Sequence, residues 1–100
     1  MKAVVVTADG VSVQNVETPK PKENEVLVKV FACGLNRADL VVADGGAHGA
    51  SGGPGTIVGM EFSGEVIELG SKVKDYSIGD RVMWTILNFH LYVLIYKYHP

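Results

Sequence analysis

The sequence predicts a mainly β domain, a small barrel of short strands carrying one short helix, and three observations lead there. Apolar residues alternate cleanly over Glu25–Phe31, as in a strand with one buried face. Glycine-containing turn signals separate several β-branched runs at short spacing. Strand and helix patterns do not alternate in the way that builds a parallel, doubly wound sheet.

Taken in order, Lys2–Val6 is short and β-branched, and Asp9-Gly10 offers the positive-φ pair of a tight hairpin before Val11, Val13 and Val16. Pro19–Asn24 is a solvated connection in which prolines deny ladder hydrogen bonds. The next strand places Val26, Val28 and Val30 on one face and Leu27, Lys29 and Phe31 on the other. After Gly34, Asn36 is suited to cap a short helix whose Ala38, Leu40, Val41 and Val42 pack inward, with Arg37 and Asp39 flanking them. Gly45–Gly55 holds six glycines and predicts an irregular, mobile loop. Strand character returns over Met60–Leu69, with Gly64 as a bend or bulge. Gly79-Asp80 then turns the chain into a strand that begins Arg81-Val82-Met83.

Composition removes several function classes. One hundred residues, 47% hydrophobic and 20% charged with a net charge of -2, describe one soluble domain without the basic excess that phosphate backbones attract, so nucleic acid is not an expected partner. The single cysteine, Cys33, excludes an internal disulfide and fits a reducing compartment, with the cytoplasm as the expected location. Its place in the strand predicts a packed thiol. No targeting pattern opens the chain, and the apolar Trp84–Tyr96 run is shorter than the roughly 20 residues of a spanning helix and is interrupted by Asn88 and His90.

Most catalytic fingerprints are missing. The glycine-rich loop matches neither the dinucleotide spacing G-x-G-x-x-G nor the P-loop, and His48, His90 and His99 have no ligand spacing. A nucleophile elbow and a His-Glu-x-x-His helix are also lacking.

Three ordered motifs carry a resemblance instead: Ala32-Cys33-Gly34-Leu35-Asn36-Arg37-Ala38-Asp39, then Gly59-Met60-Glu61-Phe62-Ser63-Gly64-Glu65-Val66, then Gly79-Asp80-Arg81-Val82. Together with Met1-Lys2-Ala3 and Pro19–Val28, they resemble the medium-chain dehydrogenase/reductase superfamily, in its zinc-free quinone oxidoreductase (zeta-crystallin-like) branch. The resemblance runs from Met1 to about Met83. It implies a GroES-like, partly open β-barrel over residues 1–83, followed by an atypical apolar tail over 84–100, in a chain truncated before the Rossmann domain. The tail alternates β-formers, with Leu87, Phe89, Leu91, Val93 and Ile95 on one face, and would pair as a strand if given an edge.

The branch rests on two positions. Zinc-dependent members of the superfamily carry a cysteine ligand where this chain has Asn36 and a histidine ligand where it has Met60. Amide and thioether are poor replacements for thiolate and imidazole on Zn²⁺, so no metal is expected. The implied activity is NADPH-dependent reduction of a quinone or other α,β-unsaturated carbonyl, an acceptor that takes hydride conjugately without a Lewis acid. The resemblance leaves open whether NADH replaces NADPH, because the ribose-reading residues belong to the other domain.

By that resemblance Asn36 is a cleft residue that hydrogen-bonds the nicotinamide side or the acceptor oxygen, alongside its role as a helix cap. Asp39 orients Asn36 or Arg37, or serves as a first-turn acid favoured by the helix dipole. Met60, Glu61 and His48 line the substrate cleft, and Glu61 is expected to pair with Arg81 or Arg37. Two departures from the family stand out: no aromatic occurs between Leu40 and Phe62, and Val58 replaces a usual proline. The alternative function is a non-catalytic β-barrel for assembly or binding, since fold alone does not fix activity, and homo-oligomerisation stays open.

Overall fold

The computed structural model describes residues 1–48, 51–85 and 92–97. Its strands are β1 (Lys2–Thr7), β2 (Gly10–Asn15), β3 (Glu25–Cys33), β4 (Ala47–His48), β5 (Ser51–Gly52), β6 (Glu61–Leu69), β7 (Arg81–Thr85) and β8 (Tyr92–Lys97), and its one helix is α1 (Arg37–Ala43). The architecture is mainly β with one short helix, as the sequence predicts. Four strands form a sheet in the order β7-β6-β3-β8, while β1-β2 and β4-β5 are separate two-stranded hairpins, so the described strands do not close a barrel.

The β1-β2 hairpin turns through Ala8-Asp9, with Thr7 opposite Gly10. Gly10 has φ +122° and, among the described residues, no non-glycine residue has positive φ, so the positive-φ pair expected at Asp9-Gly10 reduces to Gly10 alone. The Thr7 hydroxyl closes the turn by accepting the Asp9 N–H at 3.3 Å and donating to the Gly10 carbonyl at 3.0 Å. That side-chain clasp lets Asp9 keep an ordinary backbone.

β3 is the spine of the larger sheet, antiparallel to β6 and parallel to β8. Val26, Val28 and Val30 are buried as the alternation predicts, and they pack with Phe62 and Val66 in the central cluster. Leu27, on the opposite face, is buried as well, whereas Phe31 is exposed. The bulge expected at Gly64 lies on the partner strand: Val30 pairs with Gly64 and Ala32 with Ser63, which leaves Phe31 as the extra residue. Gly64 supplies the close approach instead, since a Cβ there would run into the Lys29 carbonyl and come within 2.8 Å of Val28 Cγ1.

Two expectations about α1 and its loop change. Leu40 and Val41 are exposed, at 66% and 47%, while Asp39 and Val42 are buried. At about 100° per residue, Ala38 and Val42 share one helix face and Leu40 points away from it. The glycine-rich loop is also less irregular than its composition suggests, because β4 and β5 pair within it, Ala47 with Gly52 and His48 with Ser51. Gly46 N–H donates to the Val41 carbonyl at 2.9 Å and ties that hairpin to the end of α1.

The connection 55–58 runs alongside β1, with Gly55 N–H donating to Val6 O (2.8 Å), Val6 N–H to Thr56 O (2.9 Å) and Val58 N–H to Val4 O (2.9 Å). It delivers the chain to the start of β6. Beyond β6, Gly79 (φ +94°) makes the turn into β7, and the Asp80 carboxylate accepts the Ser77 N–H at 2.8 Å. β7 continues through Trp84 and Thr85. Part of the apolar tail does find an edge, as β8 beside β3; the alternation read over Leu87, Phe89 and Leu91 lies outside the described residues.

Candidate functional site

The antiparallel pairing of β3 and β6 sets the site, because Cys33 at the end of β3 lies opposite Phe62 near the start of β6. Residues just after Cys33 therefore run past those just before Phe62. Gly34 N–H donates to the Glu61 carbonyl at 3.3 Å, and a Cβ on Gly34 would collide with the Glu61 side chain. Only glycine lets the 34–36 segment lie this close to Glu61. Gly59, with φ +135°, shapes the approach to Met60 from the other side.

Asn36 is the N-cap of α1 with an extended backbone (φ −123°, ψ 153°). Its N–H donates to Asp39 Oδ2 at 2.8 Å, and the Asp39 N–H returns a hydrogen bond to the Asn36 carbonyl at 3.0 Å. The reason is local: the residue three places into the helix reaches back to an N–H that has no helical partner. Asp39 is itself buried, at 8% exposure, so its carboxylate is committed to Asn36 rather than to Arg37. Asn36, Met60 and Glu61 are all half-buried.

The Gly34–Glu61 junction brings Asn36, Asp39, Met60 and Glu61 to the same end of the sheet. His48 enters by a different route, on β4, which lies against α1. Glu61 does not form the expected ion pair. Antiparallel register sets it opposite Thr85 and sets Arg81 opposite Glu65, and among the described residues no salt bridge joins it to Arg81 or Arg37. Cys33, expected to be packed, is exposed, because the strand rises out of the core beyond the Phe31 bulge. Gly34 is the site residue that sequence reasoning passed over. Its signal was the glycine placed directly after a strand and two residues before the cap.

The donor groups at this end of the sheet are an amide, a thioether and carboxylates. Asn36 and Met60 offer an amide and a thioether, and among the described residues no three His, Cys, Asp or Glu side chains converge. The glycine-rich loop has no G-x-G-x-x-G spacing, and among the described residues the helix α1 leads into the β4-β5 hairpin rather than directly into a strand parallel to β3. The end of the sheet can instead offer hydrogen bonds from half-buried polar groups beside apolar surface, with Phe31, Leu35 and Leu40 exposed nearby in the chain.

Several known proteins are similar to this chain in sequence and fold. Residues 22–92 match the family model of the alcohol dehydrogenase GroES-like domain. The synaptic vesicle membrane protein VAT-1 homolog-like of Mus musculus is 40% identical over 87 residues, covering 83% of this chain and 21% of that protein. The quinone oxidoreductase structure from Coxiella burnetii superposes with TM-score 0.67 at 34% identity, over 83% of this chain and 28% of the other. A Sinorhizobium meliloti 1021 chain, described as a zinc-binding dehydrogenase and solved bound to NADP, gives TM-score 0.69 at 38% identity, over 80% and 23%. The chain spans about a fifth of the length of the curated relatives it matches.

Proposed function

We propose a function from one premise: the chain belongs to the alcohol dehydrogenase GroES-like domain family. In this reading it supplies the substrate-cleft wall of an NAD(P)H-dependent oxidoreductase that reduces quinones or enones without zinc. The bound nicotinamide would supply the hydride, and the residues that hold its dinucleotide lie outside these 100. The observation that carries the reading is the Gly34–Glu61 junction, which holds an amide (Asn36) and a thioether (Met60) at the end of the sheet.

The chemistry follows from those groups. An enone or quinone accepts hydride at carbon, and the displaced electron pair moves to its oxygen, where a proton completes the reduction. An acceptor of this kind needs a hydrogen-bond donor at the oxygen rather than a Lewis acid. The Asn36 side-chain amide supplies that donor or steadies the nicotinamide edge, and Asp39 acts as a positioning residue by fixing the Asn36 backbone. Met60, Glu61 and His48 line the acceptor side. The single cysteine, which fits a reducing compartment, makes the cytoplasm the proposed location.

Titrating the chain with a water-soluble naphthoquinone while following backbone amide resonances tests this. Shifts should concentrate at residues 34–36 and 60–61, and the chain alone should not oxidise NADPH. Shifts confined to the β1-β2 hairpin, or turnover of NADPH by these 100 residues, would contradict the reading.

A further inference from the structure

β8 forms one edge of the four-stranded sheet, bonded to β3 on one side and to no strand on the other among the described residues. Natural edges are protected by proline, bulges or charge. Tyr92-Val93-Leu94-Ile95-Tyr96 has none of these, and its β-formers are those most at home in a ladder. An unpaired run of backbone N–H and C=O groups on such a strand is a template for another strand.

The order of residues says which strand. Read from Leu94 outward, the segment is a near-palindrome: Val93 and Ile95 flank the centre, and Tyr92 and Tyr96 flank those. Antiparallel pairing with an identical strand about a twofold axis at Leu94 sets Leu94 opposite Leu94, Val93 opposite Ile95 and Tyr92 opposite Tyr96. Each pair matches aliphatic with aliphatic and aromatic with aromatic, the combinations that stabilise a ladder. Charge agrees with this arrangement, because Lys97, the strand's only ionised side chain, falls opposite position 91, which keeps the two ammonium groups at opposite ends of the interface. A parallel pairing would stack them side by side.

We infer that β8 is a self-recognition edge and that its partner is a second copy of this chain, joined β8 to β8 antiparallel so that the two four-stranded sheets become continuous. A twofold interface of this kind is closed: each copy uses the same strand, and no free β8 edge is left for a third. The other outer strand, β7, carries Arg81 and lies at the far side of the sheet. The inference stands apart from the proposed hydride chemistry, which uses the Asn36 and Met60 end of the molecule.

Sedimentation velocity on the full chain and on two variants tests it. The unmodified chain should sediment as a dimer, twice the mass of one chain. Leu94→Lys sets two ammonium groups face to face on the axis and should give monomer, as should Leu94→Glu with two carboxylates. Mixing the two variants in equal amounts should restore the dimer at least about tenfold more tightly than either alone, because unlike charges then meet. The mixture separates a lost interface from a failed fold. A monomeric unmodified chain, an open-ended series of larger species, a dimer that survives in both variants, or a mixture that stays monomeric would overturn the inference.

Discussion

Removing the Asp39 carboxylate takes away the acceptor that holds the Asn36 N–H at 2.8 Å, and burial leaves little water to replace it. Asp39→Ala should therefore cost about 1–2 kcal/mol, the range of a lost cap with an orphaned donor. Asp39→Glu keeps an acceptor at the same helical position and should cost less than about half of that. Denaturant midpoints at unchanged slope separate the two; equal losses would mean that packing rather than the cap hydrogen bond sets the cost. The capping relationship was legible in the sequence, since Asn36 and Asp39 stand at the spacing a capping pair requires. The exposure of Cys33 was not, because it follows from an extra residue at Phe31 that no local pattern announces.

At the scale of elements, β3 and β6 hold the molecule together. Val28 and Val66 are fully buried and are direct register partners. Truncating either to alanine removes two buried methyl groups and should cost about 2 kcal/mol, from roughly 0.8 kcal/mol per methylene plus a cavity term. Because the two residues share one cavity, the double variant should depart from additivity by about 0.5 kcal/mol or more. Val13→Ala on the exposed face of β2 should stay within about 0.5 kcal/mol of the parent. Strict additivity at Val28 and Val66 in thermal or denaturant unfolding would mean that the register drawn between β3 and β6 is wrong.

The alternation over Glu25–Phe31 and the β-branched start of the chain made β1, β2 and β3 readable. What escaped was anything decided across strands. Leu40 and Val41 read as core because they are apolar, yet a helix of seven residues turns only one narrow face inward. Glu61 read as the partner of Arg81 or Arg37 because a carboxylate at a strand start beside a cleft suits a nearby cation, but antiparallel register sets Arg81 opposite Glu65, four positions along β6 from Glu61. Gly34 and Gly64 matter for the backbone or side chain that lies against them, and a sequence shows the glycine without showing its neighbour.

Across the whole molecule, the sheet order places the Asn36–Met60 end and the β8 edge in different roles. Position 36 is reached through the β3-β6 pairing and the Gly34–Glu61 hydrogen bond, whereas β8 meets β3 on its other side. The chain, which covers about a fifth of the length of its curated relatives, holds both the apolar cluster and the crossing that position these residues. The alternative of a non-catalytic assembly module draws on β8, and the cleft-wall reading draws on Asn36 and Met60; the two make separate demands on the protein.

The zinc content of the folded chain tests the proposed chemistry most directly. After loading with excess Zn²⁺ and exhaustive dialysis, elemental analysis should find no stoichiometric metal, because amide and thioether oxygen, nitrogen and sulfur hold Zn²⁺ far more weakly than thiolate and imidazole do. One zinc retained per chain, and lost in both Asn36→Ala and Met60→Ala, would contradict the account.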